Sequence, residues 1–165
     1  MQDEPVSKTR RKKEMHELQA LGVALVELAD AQLDQMDLPD ELGVAVREAK
    51  RIKSHEGKRR QLQYIGRLMR EVDAEPIRAQ LDAIAGQSAE AAARHRRLEA
   101  LRERLIGDDG ALTDYVASHA GADLQALRTL IRNARREQQE GRPPRAYREL
   151  FRLLKALETR TAAQG

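Results

Sequence analysis

The sequence predicts an all-α fold, and three observations carry that expectation. No segment alternates apolar and polar residues with period two over a useful length, whereas apolar residues recur three and four apart along the chain. Aromatics make up 2% of the 165 residues, with one Phe and no Trp, so a core must be assembled from Leu, Ile, Val and Ala. There is no Cys, which removes disulfides and thiolate metal sites as other sources of stability and fits a reducing compartment. A chain of this length buries roughly two-thirds of its unfolded surface, as one domain or two small ones.

The elements follow in order. Leu18, Leu21, Leu25, Leu28 and Leu33 predict a first helix that begins near Ser7 or Thr9 and ends before Pro39. Pro39 suits the first turn of a second helix, where its missing amide hydrogen costs nothing, with Val46, Ala49 and Ile52 on the buried side. Gly57 is expected to break the chain before a third helix that buries Leu62, Ile65, Leu68, Met69 and Val72. Pro76 opens a segment carrying Ile77, Leu81 and Ile84, interrupted at Gly86, after which Ser88 caps a helix with Leu98, Leu101, Leu105 and Ile106. Gly107–Gly110, reading GDDG, is a turn and the expected boundary between subdomains. Three short amphipathic patterns follow: Leu112 to Val116; Leu124 to Ala134 with Asp123 as cap; and Tyr147 to Leu157, opened by Pro143 and Pro144. The expected organisation is therefore two small helical bundles. Residues 7–106 form an N-terminal bundle with a connecting helix and 107–160 a C-terminal three-helix bundle, with 1–6 and 161–165 as flexible ends.

Charge is segregated along this frame. Arg47 to Arg70 holds Arg47, Lys50, Arg51, Lys53, Lys58, Arg59, Arg60, Arg67 and Arg70 against Glu48 and Glu56, a local excess of +7 in a chain whose whole formal charge is +3. With about 100° per residue, Arg59, Arg60, Arg67 and Arg70 lie about 120–220° from Ile65, opposite the apolar stripe. A second cluster contains Arg128, Arg132, Arg135, Arg136, Arg142, Arg145, Arg148 and Arg152 against Glu137, Glu140 and Glu149. Glu27 to Glu41 and Asp108 to Leu127 are acidic and contain no Lys or Arg. Charge runs on helices are commonly solvated faces, and arginine abundance can reflect genome composition. Two basic clusters with charge-free or acidic stretches between them nevertheless favour a polyanion, because guanidinium groups match phosphates in a bidentate fork. Readers of single-stranded RNA stack bases on exposed aromatics, whereas Tyr64, Tyr115, Tyr147 and Phe151 sit at apolar helical spacings. The expectation is backbone-directed, shape-based binding to folded RNA.

Other chemistry finds no support. His16, His55, His95 and His119 show no spacing that gathers two on one helical turn, so no metal site is expected. Ser54, His55 and Glu56 are helix neighbours and point in different directions, which no catalytic relay tolerates. Asp108 and Asp109 read as turn residues, Gly57 and Gly66 belong to no phosphate loop, and Pro143-Pro144 lacks the spacing of a polyproline ligand. No enzyme activity and no cofactor are expected. The longest apolar run is far shorter than the ~20 residues that span a bilayer, and the N-terminus lacks an apolar signal core. A cytoplasmic monomer without membrane contact is the expectation.

The two basic stretches, RIKSHEGKRRQLQYIGRLMREVDAEPI (Arg51 to Ile77) and LRTLIRNARREQQEGRPPRAYRELFRLLKAL (Leu127 to Leu157), resemble the signatures of the DarP (YjgA) family of bacterial ribosomal maturation proteins. The opening SKTRRKKEMHELQALGVALVEL is similar to that family too, so the match runs from about Ser7 to Glu158. The resemblance implies an all-helical cytoplasmic protein that associates with late precursors of the large (50S) ribosomal subunit, together with other assembly factors. It also implies contact with 23S ribosomal RNA near the subunit interface and help in maturing the peptidyl transferase centre. Family members often carry a longer acidic N-terminal extension, where this chain has Asp3 and Glu4. The residues expected to touch RNA, by the charge argument, are Lys50, Arg51, Lys53, Lys58, Arg59, Arg60, Arg67 and Arg70, with Arg128, Arg132, Arg135, Arg136, Arg142 and Arg145 as a second foothold. The rival expectation is a helical protein–protein adaptor that uses the leucine stripe of the first helix.

Overall fold

A computed structural model describes residues 7–165 as eight helices, with no strand among them. They are α1 (Lys8–Glu27), α2 (Asp30–Asp34), α3 (Asp40–Arg51), α4 (His55–Glu71), α5 (Ala74–Gly107), α6 (Asp109–Ser118), α7 (Leu124–Glu140) and α8 (Arg145–Gln164). The chain divides into two compact units at Ser88/Ala89, inside α5, and the GDDG turn expected to mark the boundary lies within the second unit. The flexible end expected over 161–165 is instead helical as far as Gln164, and residues 1–6 lie outside the described residues.

In the first unit the core is Leu25 and Val26 of α1, Leu33 of α2, Leu42, Ala45, Val46 and Ala49 of α3, Ile65, Leu68 and Met69 of α4 and Ile77 of α5. The expected single first helix breaks at Leu28 and Ala29, which are both extended (ψ 145° and 149°). Beyond the break, α2 buries Leu33 in the same core. The polar cost of the break is met locally: Lys50 Nζ donates to the Val26 carbonyl at 3.2 Å and to the Leu28 carbonyl, and the Ala29 amide donates to Gln32 Oε1 at 3.2 Å. Orphan carbonyls at a helix end require such donors.

Gly57 does not break the chain. α3 ends at Arg51, Ile52 is extended, and Ser54 caps α4 by accepting the Gly57 amide at 3.1 Å. Gly57 therefore sits in the first turn of α4, close enough to Ser54 that an added Cβ would lie 2.6 Å from its hydroxyl. The interruption expected at Gly86 is also absent, and Ser88 caps nothing, because α5 runs unbroken through both. One glycine costs a helix about 1 kcal/mol, less than the alanine-rich sequence on both sides of it contributes.

The second unit closes over Leu98, Leu105 and Ile106 of α5, Ala111 and Tyr115 of α6, Leu127, Ile131 and Ala134 of α7 and Ala146, Leu150, Leu154 and Leu157 of α8. Asp108 Oδ1 accepts the Gly110 amide at 2.9 Å and Asp123 Oδ1 the Ala126 amide at 3.0 Å, so α6 and α7 are both capped by aspartate. Gly141 ends α7 in the left-handed conformation (φ 63°), which glycine adopts without a Cβ penalty.

Candidate nucleic-acid interface

α4 is oriented by its contact with α1. An added Cβ at Gly22 would lie 2.8 Å from Ile65 Cγ2, so the two helices pack closely at that point. Gln19 lies over Gly66 and donates from Nε2 to the Leu62 carbonyl at 3.2 Å. On the other side Gln61 Nε2 donates to the Ala45 carbonyl of α3 at 3.0 Å. With Ile65, Gly66, Leu68 and Met69 inward, Arg59, Arg60, Arg67 and Arg70 are all exposed on the opposite side. From Arg59 to Arg70 the helix rises about 16 Å, at 1.5 Å per residue.

These arginines are not equivalent. Glu56, one turn ahead, takes Arg59 in a two-point pair (2.6 and 3.1 Å) and Arg60 at 3.5 Å. Its carboxyl is held below the ordinary value, chiefly by the Arg59 guanidinium and further by Arg60, and Arg59 is raised in return. Among the described residues no carboxylate lies within 4.0 Å of Arg67 or Arg70. Arg51, Lys53 and Lys58 surround the α3–α4 link; Arg51 and Lys53 are exposed there and Lys58 is exposed as well. Lys50 is different: it is committed to the end of α1 and to Asp30 at 3.4 Å, and its side chain is only 21% exposed.

The second cluster also divides. Arg135 lies over the end of α5, donating from Nε to the Ile106 carbonyl at 2.7 Å and from Nη2 to the Leu105 carbonyl at 3.4 Å, and pairs with Asp109 at 2.8 Å. Its role in the free protein is structural. Arg128 and Arg132 are exposed beside it on the same edge of α7. Arg136, Arg142 and Arg145 line a recess at the α7–α8 turn, where Arg142 pairs with Glu140 at 2.7 Å. Glu137 closes the turn by accepting the Ala146 amide at 2.8 Å and the Tyr147 amide at 3.4 Å. An anion is thus already seated at the start of α8.

The aromatic rings serve the fold. Tyr115 is buried and stacks on His119 at 4.0 Å, and Tyr64 donates to Glu41 at 2.8 Å. Arg102 lies over the Tyr147 ring at 3.6 Å and near Phe151 at 5.1 Å. Among the described residues no group of three His, Asp or Glu is placed to hold a metal ion, and no helix is long and apolar enough to cross a membrane.

One basic tract escapes the sequence reading. Lys8, Arg10, Arg11, Lys12 and Lys13 open α1, and every residue from Lys8 to Glu17 is exposed. The signal was present as five cations before the first acid of the helix, Glu14.

Fold and surface together define an all-helical protein whose exposed arginines are held opposite buried leucine and isoleucine stripes. Residues 4–155 match the family model described as "Dual-action ribosomal maturation protein DarP". Proteins of that name are similar over most of their length. The one from Aromatoleum aromaticum is 50% identical over 159 residues, covering 96% of this chain and 84% of the relative. That of Burkholderia cenocepacia is 53% identical over 153 residues (91% and 75%), and that of Methylobacillus flagellatus 51% over 154 (93% and 86%). The chain belongs to the DarP family of ribosomal maturation proteins.

Proposed function

We propose that this protein binds late precursors of the large ribosomal subunit in the cytoplasm, contacts 23S ribosomal RNA, and assists maturation of the peptidyl transferase centre. The observation that carries the reading is the outward face of α4, where Arg59, Arg60, Arg67 and Arg70 stand opposite a stripe locked into the core. A rigid row of guanidinium groups contacts phosphates without reading bases, which positions RNA rather than transforming it. Arg128, Arg132, Arg136 and Arg145 supply a second set of cations, while Lys50 and Arg135 support the first and second sets from within the fold. The contribution to maturation is to hold RNA segments in a permissive arrangement, by binding alone.

The adaptor alternative loses its interface. Leu25 is buried, and Leu18, Leu21 and Leu28 pack against the same core, so the leucine stripe of α1 is occupied inside the first unit. The test is co-sedimentation with precursor particles from cells that lack the protein. Wild type is expected to travel with large-subunit precursors, and a variant with Arg59, Arg60, Arg67 and Arg70 all changed to Glu is expected to stay at the top of the gradient. Unchanged co-sedimentation of that variant removes α4 as the contact.

A further inference from the structure

The first ten residues of α1 have no role in the core. Lys8 to Glu17 are exposed, and the buried residues of the helix begin at Gly22, about 21 Å along the axis from Lys8 at 1.5 Å per residue. Within this stretch the charge is five cations against Glu14 and Glu17, and among the described residues one ion pair forms, Arg10 with Glu14 at 3.3 Å. A helical projection places Lys8, Lys12, Lys13, Arg10 and Arg11 at about 0, 40, 140, 200 and 300°, so cations surround the helix instead of marking one face.

This arrangement narrows the partner. A helix lying on a lipid surface needs an apolar face opposite its cations, and a helix docked in a protein groove needs apolar anchors one turn apart. Between Lys8 and Glu17 the only large apolar side chain is Met15, half exposed among the stems of Lys8, Arg11 and Lys12. Neither partner is served. A ring of cations matches anions arriving from several sides, as in a cleft between RNA backbones. The charge also opposes the helix: no acid occupies the first turn, and cations gather at the positive end of the peptide dipoles. Phosphates that come close relieve that repulsion.

We infer that Lys8 to Glu17 of α1 is a second RNA-binding element, a basic prong that enters a cleft in folded RNA and becomes more firmly helical there. The inference rests on the RNA-binding reading above and adds a surface distinct from α4. The test uses the full chain with every cation of the prong changed to Gln (K8Q, R10Q, R11Q, K12Q, K13Q), which keeps helix propensity. A 23S ribosomal RNA transcript is the probe, titrated at salt concentrations between 50 and 200 mM. The slope of log affinity against log salt is expected to fall by roughly 0.7–0.9 for each phosphate that the variant no longer neutralises, so by about 2 or more, with affinity at low salt reduced at least tenfold. Hydrogen exchange of the amides from 8 to 17 is expected to slow when wild type binds the transcript.

An unchanged slope and unchanged exchange, alongside loss of binding in the α4 variant, overturn the prong and leave the α4 reading intact. Absence of transcript binding by wild type overturns both. Protection of residues 8–17 by anionic phospholipid vesicles but not by RNA overturns the prong as an RNA element.

Discussion

Gly22 and Gly86 are both helical glycines of the first unit, and the same substitution is expected to have opposite effects at them. At Gly86 nothing lies within 4 Å of an added Cβ. Gly86→Ala there is expected to stabilise by up to about 1 kcal/mol, through the lower conformational freedom of the unfolded chain and the better helix propensity of alanine. At Gly22 the same gain applies, but the new methyl would sit 2.8 Å from Ile65 Cγ2 and 3.7 Å from Met69 Cγ. Carbon atoms pack at about 3.5–4.0 Å, and Ile65 and Met69 are both fully buried, so neither side chain can swing clear. Relief requires α1 and α4 to move apart, and overpacking of this kind costs roughly 1–3 kcal/mol. The net expectation for Gly22→Ala is destabilisation by about 1 kcal/mol, hence a difference of about 2 kcal/mol between the two variants. With a urea dependence of about 1–3 kcal/mol per M, the midpoints of urea unfolding followed by far-ultraviolet circular dichroism should differ by about 1 M. If Gly22→Ala raises the midpoint as much as Gly86→Ala does, the close α1–α4 packing that turns the arginine face outward is wrong.

Other expectations separate the structural from the accessible cations. Lys50→Ala leaves the Val26 and Leu28 carbonyls without their donor and should cost about 1–2 kcal/mol in a denaturant titration, with little change in RNA affinity. Arg135→Ala should cost about 1–3 kcal/mol, because two helix-end carbonyls lose a charged donor, whereas Arg132→Ala should leave stability within about 0.5 kcal/mol and weaken RNA binding. Glu56→Gln removes the carboxylate paired with Arg59 and Arg60 and should tighten RNA binding severalfold at low salt. Because that carboxyl is held below its ordinary 4.5, lowering the pH from about 7 to about 5 should not reproduce the effect. The Tyr64, Tyr115 and Tyr147 phenols are all raised above 10.0, Tyr64 and Tyr147 chiefly by donating to Glu41 and Glu103 and Tyr115 by burial. A raised phenol favours the neutral ring in the fold, so its contribution is complete below about pH 10 and declines as the pH rises through the folded value. Spectrophotometric titration should show tyrosinate forming above about pH 10 in the native protein and earlier in denaturant.

The fold was legible where one face of a helix does all the packing. α4, α7 and α8 each carry a leucine or isoleucine stripe with arginines opposite, and the periodicity alone places Ile65, Ile131 and Leu154 in the core. It failed where a local signal competes with a tertiary one. Gly57 and Gly86 look like breaks, but Gly57 sits in the capped first turn of α4 and Gly86 in an alanine-rich run that carries α5 through it, whereas the true breaks at Leu28–Ala29 and Ile52–Ser54 carry neither Gly nor Pro. Among the cations, sequence gives the charge and the face but not the partner. Lys50 and Arg135 look like their neighbours until the carbonyls that they satisfy, 22 and 29 residues away in the chain, are brought beside them. The α1 tract is hard to read for the opposite reason: a basic helix start resembles a solvated end until the structure leaves its first ten residues exposed.

If the outward arginine face of α4 rests on ribosomal RNA of the large subunit, ultraviolet crosslinking in growing cells should find it there. The crosslinked nucleotides and the crosslinked peptides are both identified. The expected result is crosslinks to 23S ribosomal RNA in precursor particles, through peptides that include Arg59 to Arg70. Crosslinks confined to proteins or to small-subunit RNA, or RNA crosslinks that bypass α4, would contradict it.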